Sequence, residues 1–119
     1  MSEPGHAEVM AAIDTVLDPC SVFNGTRLSL IELGMVERVT IEDGGRVHIL
    51  LFLDDPTCML SFEINRMLDE AVSALPGVTK VSVEIKADEL WTEDRMTRNG
   101  RTRLEAFRAK RRQLREVEA

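Results

Sequence analysis

No apolar run in these 119 residues approaches the roughly 20 residues that a membrane-spanning helix needs. The opening stretch MSEPGHAEVM is acidic. It has no basic region followed by an apolar block, so no secretory signal is read there. A cytoplasmic protein with no membrane partner is the expectation. Cysteine is scarce: the chain has two, Cys20 and Cys58. Neither belongs to a C-x-x-C pair or a Cys/His zinc pattern. In a reducing compartment they are expected as thiols rather than as a disulfide. A glycine-rich phosphate loop, a serine nucleophile elbow and an H-E-x-x-H motif are also missing, which sets aside the enzyme classes those motifs mark. There is no internal repeat and no low-complexity segment.

What is present is a soluble-protein composition, 44% hydrophobic and 30% charged. That suits one domain with a single modest core. The net charge of −6 hides an asymmetry. Residues 1–94 carry 6 basic and 18 acidic side chains, a balance of −12, whereas residues 95–119 carry 9 basic and 3 acidic, a balance of +6. The body and the tail are therefore different surfaces. A body this acidic, with no RNA-binding aromatic motif, is not expected to bind nucleic acid.

Hydrophobic spacing predicts a first helix over residues 6–17, from Val9, Met10, Ile13, Val16 and Leu17. Pro19 and the loop PCSVFNGT are expected to stop it. LSLIELGMV is short and apolar, with Gly34 at its bend. VERVTIEDGGRVHILLFL reads as a hairpin turning at Asp43-Gly44-Gly45. Its second strand is apolar on both faces, so it is expected to be central or covered. An amphipathic helix follows, with Leu60, Ile64, Met67, Leu68, Ala71, Val72 and Leu75 on one stripe. Pro76-Gly77 ends it. VTKVSVEI alternates as a third strand. ADELWTEDRMTRNG is irregular, with a short helical turn expected from Thr92. From about Thr102 the tail is expected to be helical, with a narrow stripe of Leu104, Phe107, Leu114 and Val117 interrupted by Arg111. Together these elements predict a two-layer α+β domain over residues 1–94, of helix, hairpin, helix and strand. A basic C-terminal helix over residues 95–119 is added to it.

Cys58 lies between a strand ending near Leu53 and a helix starting near Met59. A helix N-terminus favours a thiolate. Asp54 and Asp55, three to four residues away, favour the neutral thiol. Cys most often packs as a small hydrophobe, so position alone leaves function and packing both open. Cys20, after Pro19 in a polar loop, is weaker still and reads as packing. His48 lies mid-strand on an apolar face and reads as a core or sheet-surface histidine, and His6 carries little weight. Trp91 reads as a cover over the core edge rather than a pocket wall. Acidic pairs such as Glu42-Asp43 and Asp69-Glu70 read as solvated surface.

The order of the motifs says more. LDP follows the first helix, then come LSLIELGMVERVTIEDGGRVHILLFL and a proline loop with a cysteine. A helix ending ALPGVTKVSVEI follows, then a tryptophan and DRMTRNGRTRL. This order resembles the small iron–sulfur cluster assembly domain of PaaD-like and SufT-like proteins, over about residues 7–104. The resemblance implies a fold of helix, two strands, helix and strand. It also implies a role in iron–sulfur cluster assembly or metalloenzyme maturation, not enzymatic turnover. Carried over, the site residues are Asp18, Cys58 as the reactive thiol, and the Leu33-Gly34 bend as a neighbour. Two departures stand out. Cys20 occupies the place of an acidic residue after Asp-Pro. The cysteine loop has Asp54 and Asp55 for two threonines, Thr57 for glycine and Met59 for proline.

If the loops converge as the resemblance implies, Cys20 and Cys58 are neighbours among Asp18, Asp54 and Asp55. Such a set could hold Zn²⁺ or Fe²⁺. Two thiolates are too few for a cluster, which takes four, so a dimer or a client would supply the rest. The implied cargo is iron or an iron–sulfur cluster, bound transiently. The implied partners are a client apo-metalloenzyme, other assembly proteins, or a second copy. A competing reading is a non-catalytic adaptor that docks a client through its acidic body and basic tail, with the cysteines only packing. A thiol-redox protein is a third reading, against which the missing C-x-x-C counts.

Overall fold

A computed structural model describes residues 3–53, 60–86 and 88–118. The elements are α1 (His6–Asp14), α2 (Pro19–Asn24), β1 (Val36–Glu42), β2 (Arg46–Leu51), α3 (Leu60–Ser73), β3 (Lys80–Ile85), a 3-10 turn (Glu93–Arg95) and α4 (Arg98–Glu118). The sheet has the order β1-β2-β3. β1 and β2 form the antiparallel hairpin, and β3 pairs parallel to β2 after the α3 crossover. The fold is α+β, as expected, and β2 is the central strand.

The hairpin forms where glycine permits it. Gly44 and Gly45 have φ of +82° and +78°, which suits a tight turn between twisted strands. Val47, Ile49 and Leu51 of β2 point to one face and are 0–1% exposed. They meet Val9 and Ile13 of α1 and Ile64, Leu68 and Val72 of α3 in one core. Each such side chain contributes roughly 1.5–3 kcal/mol by leaving water. The other face of β2 is polar at its centre rather than apolar. His48 bonds Ser82 Oγ at 2.8 Å through Nδ1, and Glu84 Oε2 at 3.2 Å through Nε2. That is a sheet-surface histidine satisfied across the β2–β3 pair.

Three boundaries differ from expectation. α1 ends at Asp14, before Leu17, because Leu17 instead forms a bridge with Ser29. PCSVFNGT is not a plain loop: Pro19–Asn24 is a helix. α4 starts at Arg98, four residues before Thr102, because the Thr97 hydroxyl accepts from the Gly100 amide at 3.1 Å and caps the first turn. Thr92 precedes the 3-10 turn as expected.

The first turns of α4 are fastened to the body at Glu32, a carboxylate inside the apolar LSLIELGMV stretch. Arg103 Nη1 lies 2.8 Å from both Glu32 oxygens, and Asn99 Nδ2 donates at 2.9 Å. The Ser29 amide donates to the same carboxylate at 3.0 Å, and the Thr97 amide donates to the Glu32 carbonyl at 3.0 Å. Gly100 allows this approach, since a Cβ there would stand 2.4 Å from the Glu32 carbonyl oxygen. Further along, Arg108 pairs with Glu93 at 2.7 Å.

Burial alone would raise the Glu32 pKa. The Ser29 amide, then the hydrogen bond and charge of Arg103, outweigh it and hold the carboxyl below its usual value of 4.5. A carboxylate depressed in the folded state contributes stability that is present above the unfolded pKa. That contribution is lost as pH falls through the folded one. The attachment of α4 is therefore expected to be intact at neutral pH and to loosen below pH 4.5, with β2 amides still protected. Hydrogen exchange of residues 98–108 across that range checks it. Equal loss of protection in β2 and α4 would show global acid unfolding instead.

Candidate functional site

The site is built on the turn that follows α1. Asp18 is the N-cap of α2, with its Oδ2 accepting from the Ser21 amide at 3.0 Å. Pro19 takes the first helical position, where no amide hydrogen is required. Gly25, at φ +95°, ends the helix in a left-handed cap. Such an aspartate cap is worth about 1 kcal/mol. Ser21 then ties the returning chain. Its hydroxyl donates to the Asp18 carbonyl at 2.7 Å and accepts from the Leu28 amide at 2.9 Å. The Asp18 amide donates to the Leu28 carbonyl at 2.8 Å. Asp18 and Ser21 are buried as a result, while Cys20 between them is exposed. The thiol is thus presented from a capped, hydrogen-bonded helical turn.

Asp18 and Cys20 both line a cavity of about 200 Å³. Its other walls include Leu33 and Met35 from the bend before β1, Trp91, Glu93 and Met96 from the segment after β3, and Leu104 and Arg108 from α4. Trp91 fills both roles weighed for it. It packs against the core, its Nε1 donates to the Leu33 carbonyl at 2.5 Å, and it walls the cavity. Beside it the bend is crowded. Gly34 has φ of +73°, and a Cβ there would lie 1.7 Å from the Arg95 carbonyl oxygen. The Arg95 guanidinium lies 3.6 Å from the centre of the Phe52 ring, which is fully buried. A cation over an aromatic face is attractive, so the Trp91–Arg95 segment is held at both the bend and the sheet end.

Of the expected site residues, Asp18 and Cys20 come together, two positions apart on one turn. Asp54, Asp55, Thr57 and Cys58 lie outside the described residues. α2 and α3 pack side by side, however, sharing a groove lined by Pro19, Val22, Glu63 and Met67. α3 begins at Leu60, two residues after Cys58 in the chain. Glu93, Met96, Leu104 and Arg108 were not expected at the site. A usable signal existed in Glu32, a lone acid in an apolar stretch that called for a basic partner from the tail. Among the described residues, no three His, Cys, Asp or Glu side chains gather to hold a metal ion. None of the helices there is long and apolar enough to cross a membrane.

This geometry defines a small α+β domain that presents a thiol on a capped turn beside a buried carboxylate. The chain belongs to the iron–sulfur cluster assembly protein family, whose profile matches residues 6–85. It is 30% identical over 98 residues to the Fe-S protein maturation auxiliary factor YitW of Bacillus subtilis, covering 82% of this chain and 91% of that one. It is 31% identical over 97 residues to an iron-sulfur cluster carrier protein of Mycobacterium leprae. That match covers 80% of this chain but only 24% of the carrier's length. Among solved structures, a conserved hypothetical protein from Thermotoga maritima superposes with a TM-score of 0.70 at 30% identity, over 87% of this chain and 98% of that one. The matched family segment stops at Ile85, so Trp91, Glu93, Met96, Leu104 and Arg108 line the cavity from outside it.

Proposed function

We propose that this chain is an assembly or maturation factor for iron–sulfur proteins and that it works through the Cys58 thiol, without enzymatic turnover. Iron, or a cluster, is the cargo, bound transiently and passed to an apoprotein client. The observation that carries the reading is the Asp18–Cys20 turn. It presents an exposed thiol beside a buried carboxylate, on a helix packed against the one that follows Cys58. Family membership and the names of the relatives support the same role. The donor chemistry suits the cargo: thiolate and carboxylate together bind Fe²⁺ or Zn²⁺. Two thiolates fall short of the four that a cluster takes. The remaining ligands would come from the client or from a second copy, which makes the binding a hand-over rather than storage.

The test is anaerobic reconstitution with iron and sulfide of the wild type, Cys20→Ser and Cys58→Ser. Thiolate-to-metal absorption is expected in the wild type, reduced in Cys20→Ser and lost in Cys58→Ser. No such absorption in any of the three sinks metal binding. Absorption unchanged in Cys58→Ser sinks the role of that thiol. The adaptor reading draws on the exposed, arginine-rich end of α4. In a complementation assay, loss of client maturation with Cys58→Ser supports the thiol role. Loss only on removing residues 109–119 supports the adaptor.

A further inference from the structure

α4 outruns the body it is docked on. Its 21 residues extend about 31 Å at the rise of an α-helix, and the molecule measures 60 Å along one axis against 28 and 22 Å across. The last anchors are Phe107, whose ring lies against Gly25, and Arg108 on Glu93. Every side chain from Lys110 to Glu116 is exposed. The stripe that starts with Leu104 and Phe107 continues at helical spacing as Arg111, Leu114 and Arg115. Leu114 is 55% exposed. Among the described residues Arg111, Arg112 and Arg115 form no ion pair.

The opposite kind of surface lies on the same chain. A cavity of about 500 Å³ runs between the end of α1, α2 and α3. Val16, Leu17, Pro19, Val22 and Met67 make it apolar, and Glu63 stands on its lining. Two aromatic rings on these helices are almost bare: Phe23 is 95% exposed and Phe62 77%. Single exposed apolar residues are ordinary, but a groove with bare aromatics on its helices marks an interaction surface. α3 carries Glu63, Asp69 and Glu70 against the single cation Arg66, which pairs with Glu63 and Glu70. The groove is therefore apolar, with Glu63 on its lining, and the helix that forms one of its walls is net acidic.

We infer that the exposed end of α4, residues 110–116, docks in this groove on a second copy of the chain, reciprocally. Leu114 enters the apolar groove between Val22 and Met67, and Arg111 and Arg115 meet the acidic helix α3 at Glu63. The chemistry is what α4 already uses within its own chain, where Arg103 grips Glu32 and Arg108 grips Glu93. The arm continues that interface onto a surface of complementary charge, −12 in the body against +6 in the tail. A basic amphipathic helix in an apolar groove is a standard recognition mode. Two-fold exchange closes the contact into a dimer rather than a fibre.

The experiment uses the full chain. Sedimentation velocity at high micromolar concentration and low salt is expected to give a dimer. Leu114→Glu and the pair Arg111→Glu with Arg115→Glu are each expected to weaken it at least about tenfold, or 1.4 kcal/mol, with unchanged circular dichroism because these positions are exposed. A photo-crosslinker at position 114, in a mixture of isotopically light and heavy chains, is expected to join the arm of one to residues 16–23 or 63–67 of the other. A monomer overturns the inference, including a monomer whose arm binds only an acidic client. So does a dimer indifferent to Leu114→Glu, a crosslink within one chain, or a crosslink from arm to arm.

Discussion

Gly34→Ala is expected to lower stability by about 4 kcal/mol or more, placing it in the rare tail of single substitutions. The corresponding fall in Tm is roughly 15 °C for a domain of this size. Two separate costs add. A non-glycine residue at φ +73° costs roughly 1–2 kcal/mol by itself. The new Cβ would also lie 1.7 Å from the Arg95 carbonyl oxygen and 2.3 Å from its carbon. Backbone cannot rotate away as a side chain can, so the Arg95 segment must move. Moving it pulls the guanidinium off Phe52 and strains the Trp91 bond to Leu33. Gly44→Ala is the control. Gly44 has φ of +82° but nothing within 4 Å of the added carbon. It should show only the conformational cost, roughly 1–2 kcal/mol. Thermal or urea unfolding of the two variants measures the difference. Equal losses would mean that the crowding at Arg95 is relieved without consequence.

That contrast also bears on what the chain makes legible before folding. α3 and β3 are readable because each carries a strong period, of 3.6 or 2 residues, and the hairpin with its central strand because two apolar runs flank Asp43-Gly44-Gly45. α2 is not. Six residues, PCSVFN, are too few for a period, and Pro19 reads as a stop when it is also the favoured first residue of a new helix. Asp18 before it and Gly25 after it are caps at the right spacing, so the helix is legible only as a pair of ends. His48 reads as apolar-faced because Leu50 and Phe52 share its parity. Its partners Ser82 and Glu84 come from a strand 34 and 36 residues on, and local pattern cannot supply that pairing.

The candidate site divides the same way. Asp18 and Cys20 sit two positions apart on a turn, so local reasoning finds them together. The walls that complete the cavity, Trp91, Met96, Leu104 and Arg108, return from the far end of the chain. Periodicity assigns Leu104 to a tail stripe but not to the body it meets. The informative residue is Glu32. An ionised carboxylate amid Leu30, Ile31 and Leu33 has to find donors, and the arginine-dense tail is the richest source of them.

Glu32→Ala is expected to loosen the docking of α4 on the body at a cost of about 2–3 kcal/mol, set by the loss of charge-assisted hydrogen bonds. The side chain is only 12% exposed and collects the Ser29 amide, Asn99 and Arg103. Arg103 itself is 45% exposed, so once unpaired it reaches water. This holds the cost below the 3–5 kcal/mol typical of stripping a fully buried pair. The effect on the site exceeds the effect on the fold. With the Glu32 carboxylate gone, α4 is held by Phe107 against Gly25 and Arg108 on Glu93, and the cavity wall that Leu104 and Arg108 form beside Cys20 opens more often. In a Cys58→Ser background, Cys20 is then expected to be alkylated faster than with Glu32 intact, while amides of residues 98–108 lose protection and β2 keeps it. A double-mutant cycle with Arg103→Ala apportions the pair, and a coupling energy is expected because the two side chains touch. If Cys20 reacts at the same rate with α4 loosened, the tail does not shield that thiol and the wall it forms is incidental to the site.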